Sequence, residues 1–253
     1  MRTKTIKPWL FMILAIIIGF FVLNRLNILT REPTPSPTLP GFSTSLQPTS
    51  TKIATGQFVL LDNVPFTRQA PFGNWADERQ QDGCEEASVL MAVRWANGQS
   101  LTLKEAEKEI LAISDFELVQ YGGFHDTSVA DTVARIFVGY FHFNNAEARY
   151  GVSSNDIISE LQKGNLVIVP ANGQKLNNPN FTYPGPIHHM LVIRGYDPKT
   201  DEFITNDPGT RLGEMYKYPV STMMNAIYDY VTGHNEPVPK IIKAMIVVEH
   251  PWL

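Results

Sequence analysis

Gln80-Gln81-Asp82-Gly83-Cys84-Glu85-Glu86-Ala87-Ser88 contains the one cysteine of the chain and sets it at what reads as the start of a helix. Asp82 is a good N-cap type, and Glu85 three positions on completes a capping-box pattern. Cys84 then falls at the second helical position, where free backbone N–H groups and the positive end of the helix dipole favour thiolate over thiol. An activated thiol still needs a base, a residue that orients the base, and donors for an oxyanion.

The rest of the chain supplies candidates. Ile187-His188-His189-Met190-Leu191-Val192-Ile193-Arg194-Gly195-Tyr196-Asp197 puts His189 at the head of an apolar strand that turns at Asp197-Pro198. The next strand, Glu202 to Thr205, runs back to Asn206-Asp207-Pro208, so a hairpin returns Asp207 to the end where His189 stands. A carboxylate on one ring nitrogen would fix the imidazole tautomer and leave the other nitrogen for Cys84. Neighbouring strand residues point to opposite faces, so His188 is expected to turn to the other face or into the preceding loop. That loop, Asn172 to Ile187, has sixteen residues with three prolines and two glycines and is expected to border a substrate cleft.

Helical spacing carries the Cys84 helix to about Trp95, where Asn97-Gly98 stops it. Thr102 and Glu105 repeat the capping box before a second helix, and Ser128 to Tyr140 and Ser154 to Lys163 read as a third and a fourth. Strands are expected at Phe58 to Leu61, Leu166 to Pro170, His189 to Arg194, Glu202 to Thr205, Glu214 to Tyr218 and Ile241 to Glu249, with one helix from Ser221 to Tyr230. Helices first and a mostly antiparallel sheet after define an α+β class.

Four strings in order, Val64-Pro65-Phe66-Thr67-Arg68-Gln69, Gly83-Cys84-Glu85-Glu86-Ala87-Ser88, His189 to Asp197 and Asn206-Asp207-Pro208, resemble the Peptidase_C39-like family. These are papain-fold cysteine peptidases related to those that process double-glycine leaders in bacteriocin export. The resemblance spans roughly residues 58 to 249. It implies a papain-like fold, a Cys84 nucleophile, His189 as general base and acid, Asp207 as its orienter, and a glutamine in the oxyanion hole. Gln69 matches the family string, and Gln80 and Gln81 are the alternatives nearer the thiol. Glu85 and Glu86 stand where many relatives have Gly-Pro, and two carboxylates oppose a low thiol pKa unless the helix turns them away. No GxxxxGK[ST] loop is present, so this is not the peptidase domain of a complete ABC exporter chain.

Arg2, Lys4 and Lys7 precede fifteen apolar residues, Trp9 to Leu23, and no small-x-small cleavage site follows. Residues 1–29 are therefore expected to be a cytoplasmic basic tip and a single membrane anchor, with secretion after signal cleavage as the alternative. Five prolines and nine Ser/Thr between Glu32 and Thr51 make 30–57 a linker, and 58–253 is the expected peptidase domain, outside the membrane.

A net charge of −4 with no Lys/Arg cluster argues against nucleic acid as a partner. A single cysteine excludes an internal disulfide and any multi-thiolate zinc site. No HExxH is present, and neither metal nor cofactor is called for. His125, His142, His234 and His250 are expected to be surface or turn residues. The expected partners are a peptide or protein substrate and the membrane; whether a transporter joins them is left open. Two other readings stand beside the hydrolase: a papain-fold binding module without activity, and a cell-wall amidase or transpeptidase using the same triad.

Overall fold

The computed structural model describes residues 57–250 apart from residue 235. The expected anchor at 1–29 and all but the last residue of the linker at 30–57 lie outside the described residues. Among the described residues, no helix is long and apolar enough to cross a membrane.

Seven antiparallel strands form one sheet. In chain order they are β1 Val59–Leu60, β2 Ala146–Tyr150, β3 Leu166–Ala171, β4 His189–Asp197, β5 Glu202–Asn206, β6 Tyr216–Pro219 and β7 Ala244–Val248. The spatial order is β2-β7-β3-β4-β5-β6, with β1 paired to the far half of β4. β3, β7 and the Met190–Ile193 stretch of β4 read as continuous apolar runs, and the three strands are almost wholly buried, as expected of strands covered on both faces. Alternation along them divides the core. Leu166, Ile168, Met190, Val192 and Ile246 pack towards one face, and Val167, Val169, Leu191, Ile193 and Val247 towards the other.

The first face is covered by α2, Cys84–Ala96, a helix apolar enough to be buried almost all round. Ahead of it lies the single turn α1, Glu78–Gln81. Behind it packs α3, Leu103–Tyr121, which starts in the capping box of Thr102 and Glu105 and ends on Gly122 in the left-handed conformation. The second face is covered by α5, Ser154–Gln162, whose capping box uses Ser153 and Asp156, and by α7, Val220–Ala226.

Several expectations need correction. The expected third helix is one α-turn, α4, Val129–Asp131, that widens into π-helical turns over Thr132–Tyr140. The expected helix from Ser221 to Tyr230 ends at Ala226, where Ile227 bridges to Ala171 and the Tyr228 N–H donates to Pro170. The cleft loop contains a short helix, α6, Gly173–Leu176. β2 was not foreseen: Ala146-Glu147-Ala148-Arg149-Tyr150 is a charged edge strand without clean alternation.

Candidate active site

α2 does not start as its sequence implies. Gly83 is the N-cap, and Asp82 instead closes α1 while its carboxylate receives the Nδ1 of His125 at 2.5 Å. The Asp82–Glu85 capping box is therefore absent. A side chain at position 83 would bring its Cβ to 2.6 Å from the Arg79 carbonyl, so the tight α1–α2 turn needs glycine. Cys84 is the first helical residue, one position earlier than expected.

Nor does the nearer carboxylate, Glu85, turn away. Cys84 Sγ donates to Glu85 Oε2 at 3.0 Å, and the other Glu85 oxygen accepts from Tyr230 Oη at 2.6 Å and from the Thr127 N–H at 3.3 Å. Burial first, then the charges of Glu85, Asp126 and Glu86, push the thiol well above its ordinary value, so the dipole does not prevail in this arrangement. Burial and Asp126 likewise push the Glu85 carboxyl up to about 7. Glu86 turns instead to α3, where Ser114 Oγ donates to it at 2.9 Å.

The other half of the site is built as the hairpin requires. His189 opens β4, and its Nε2 lies 2.8 Å from Asp207 Oδ1 just past the end of β5. Asp207 Oδ1 also accepts the Gly209 N–H at 2.9 Å, and Oδ2 accepts Tyr218 Oη at 2.5 Å. Burial works to raise this carboxyl, but the charge and hydrogen bond of His189, with those from Tyr218 and Gly209, more than offset it and hold it below the ordinary carboxylate value. With Nε2 engaged by Asp207, Nδ1 is the ring nitrogen left for another partner. Tyr218 was not singled out in the sequence; its placement one strand away from β5 is the signal that would have found it.

Thiol and imidazole come from different faces of the sheet. Cys84 belongs to the core with Met190 and Val192, whereas Ala171, the cross-strand partner of His189, and Phe181, whose ring meets it edge-on, belong to the core with Leu191. The two can approach only around the end of the sheet, and both stand at the start of their elements. Ser88 Oγ, one turn after Cys84 on the same side of α2, donates to the Met190 carbonyl at 3.2 Å and fixes the helix start against the start of β4.

Gln69 spans the same gap. Its amide donates to the carbonyls of Gln80 and Gln81, just before Cys84, at 3.2 and 2.5 Å, and its N–H donates to Pro208, just after Asp207, at 2.9 Å. Gln80, one of the alternatives, is buried with its Oε1 unpartnered, and Gln81 lines the cavity beside Cys84.

Cys84 and Gln69 line a cavity of about 840 Å3 with Asp126, His188, Phe181 and Gly209. His189 lies directly behind its wall: the Phe181 ring stands edge-on at 5.4 Å, and a Cβ on Gly209 would come within 2.9 Å of His189 Cε1. The expected loop between Asn172 and Ile187 does border this cavity, through Asn180, Phe181, Thr182 and Pro186. His188 is turned towards the thiol's cavity. Its Nδ1 lies 2.9 Å from Asp126 Oδ2, and its ring stacks on Tyr230 at 4.6 Å.

Of the remaining histidines, His125 is a half-buried loop residue and His234 an exposed turn residue, and the Nδ1 of each approaches Asp82 Oδ2. His142 is a turn residue with φ 53°, and His250 meets Trp95 edge-on. Asp82, His125 and His234 are the described residues grouped closely enough to hold a metal ion.

The structure is an α+β domain with an antiparallel sheet, a helix-initial cysteine at a cavity and a buried His–Asp pair behind the cavity wall. The chain belongs to the Peptidase_C39 like family, whose model matches residues 61–235. Among solved structures it is similar to that of a candidate C39-like peptidase from Bacillus anthracis, at 16% identity and a TM-score of 0.47, covering 76% of this chain and 98% of that one. No curated protein matches it in sequence.

Proposed function

We propose that this protein is a cysteine peptidase, held at the membrane by residues 1–29 with its peptidase domain on the outer side, that cleaves a peptide or amide bond through Cys84. His189 Nδ1 takes the thiol proton as sulfur attacks the carbonyl carbon, and Asp207 steadies the imidazolium that forms. The Cys84 backbone N–H receives the oxyanion, joined by the Gln69 amide once substrate displaces one of its hydrogen bonds to the Gln80 and Gln81 carbonyls. Collapse breaks the C–N bond, His189 returns its proton to the departing amine, and water admitted by the same base hydrolyses the thioester. The observation that carries the reading is Gln69, tied at once to the carbonyls before Cys84 and to the residue after Asp207.

The thiol's hydrogen bond to Glu85 is the resting arrangement in this account. Rotation about the Cys84 Cα–Cβ bond must exchange Glu85 for His189 before the sulfur attacks. That same bond favours the second reading, a binding module without turnover. Cleavage of a mixed peptide library by the full chain separates the two. A peptidase yields new termini that are absent with Cys84→Ala, and added amine captures the acyl group if transfer competes with hydrolysis. A wild type that binds peptides and yields no new termini supports the binding module.

A further inference from the structure

Asp82, His125 and His234 take no part in the chemistry above, yet they converge from three remote parts of the chain. His125 Nδ1 lies 2.5 Å and His234 Nδ1 3.7 Å from the same oxygen, Asp82 Oδ2. The two rings are 4.8 Å apart, and the three donor atoms all lie within 4.8 Å of one another. An ion pair this open to water stabilises little, so the convergence is poorly explained as a stability device.

The donor set is more informative. Two imidazole nitrogens and one carboxylate oxygen suit a borderline-soft divalent cation, whereas calcium and magnesium prefer oxygens alone. A tetrahedral zinc with ligands at about 2.0–2.2 Å needs donor atoms roughly 3.3 Å apart. The contacts of 2.5 and 3.7 Å from Asp82 bracket that spacing, and small side-chain rotations would reach it. The Gly233 N–H donates to the Asp126 carbonyl at 3.0 Å, which holds the His234 segment beside the His125 loop before any ion arrives. The partial exposure of His125 and high exposure of His234 leave an entry path and room for water as a further ligand.

We propose that Asp82, His125 and His234 form a binding site for a zinc-class divalent cation, separate from the thiol. Its place gives it a consequence. Asp82 lies in the turn before Cys84, and the His125 loop continues through Asp126, which holds His188, to Thr127, which donates to Glu85. An ion there clasps three segments around the acidic wall of the cavity.

The test is zinc titration of the tag-free, chelator-treated full-length chain, by calorimetry and by competition with a chromogenic chelator. One equivalent should bind with a Kd of about 10 μM or tighter, and His125→Ala and Asp82→Asn should each weaken it by about 100-fold or more. Cys84→Ser and His189→Ala should bind zinc as the wild type does, which separates this outcome from the fate of the peptidase reading. The cobalt-loaded protein should lack a thiolate-to-metal charge-transfer band, a readout that does not depend on any variant folding. Absence of binding below millimolar zinc, affinity unchanged by His125→Ala, loss of binding in Cys84→Ser, or a thiolate band would each overturn the proposal.

Discussion

Two buried carboxylates in this protein, Asp207 and Glu86, are both fully enclosed and shift in opposite directions. Asp207 faces an imidazole and receives donors from Tyr218 and Gly209, and it stays below the usual carboxylate range. Glu86 faces Glu117 and Glu85 with one hydroxyl donor, from Ser114, and burial with those like charges drives it well above that range. Burial alone therefore does not set the charge of a carboxyl; the balance of donors and neighbours does. The half of the site built around His189 is a satisfied polar cluster. The half built on the Cys84 helix carries an excess of acid, with Glu86 Oε2 and both Glu117 oxygens unpartnered.

That contrast is sharpest if the charge is removed from each half in turn. Asp207→Asn should lower turnover by on the order of 10²- to 10⁴-fold, because the imidazole loses both its tautomer control and its counter-charge. Glu85→Gln should act the other way. An amide in place of the carboxylate removes the nearest charge that raises the thiol and offers a donor to the thiolate, so carboxymethylation of Cys84 at pH 7 should quicken by up to about tenfold. Equal and same-signed effects on thiol reactivity from the two variants would erase the distinction between the halves.

A smaller effect should appear in stability. Burial and Glu85 push Glu117 up to about 8, and burial and Asp126 push Glu85 up to about 7, from an ordinary 4.5. Both acids keep their protons in the folded state at pH values where the unfolded chain has released them. Stability on this side is thus fully present below about pH 4.5 and falls as pH rises towards 8. The loss should be on the order of 2 kcal/mol, and Glu117→Gln should flatten it, measured as urea midpoints at pH 5 and pH 8. Asp207 contributes with the opposite sign, since its depressed pKa gives stability that is lost only as pH falls below about 3.8.

Much of this architecture was legible where a local rule and the tertiary context agree. Thr102 with Glu105 marks the start of α3, and the apolar runs before Gly195 and around Val167 mark β4 and β3, because capping and burial there ask for the same residues. The hairpin that returns Asp207 to His189 was legible for the same reason. The rule failed at Asp82, where a remote histidine takes the carboxylate that the cap would have used, leaving Gly83 as the cap. It failed again at Glu85, which serves the thiol, Tyr230 and Thr127 rather than its own helix start. The convergence of His125 and His234 on Asp82 was hidden because no spacing along the chain encodes it. The widening of the third helix into π-turns left no mark in its apolar periodicity.

The thiol of α2 and the imidazole of β4 are proposed to act as one unit around the end of the sheet. The pH profile of iodoacetamide reaction at Cys84, in the wild type and in His189→Ala, measures that coupling. The wild-type thiol should react faster than the variant's across pH 6 to 8. Profiles that superimpose, both rising only above pH 9, would contradict it.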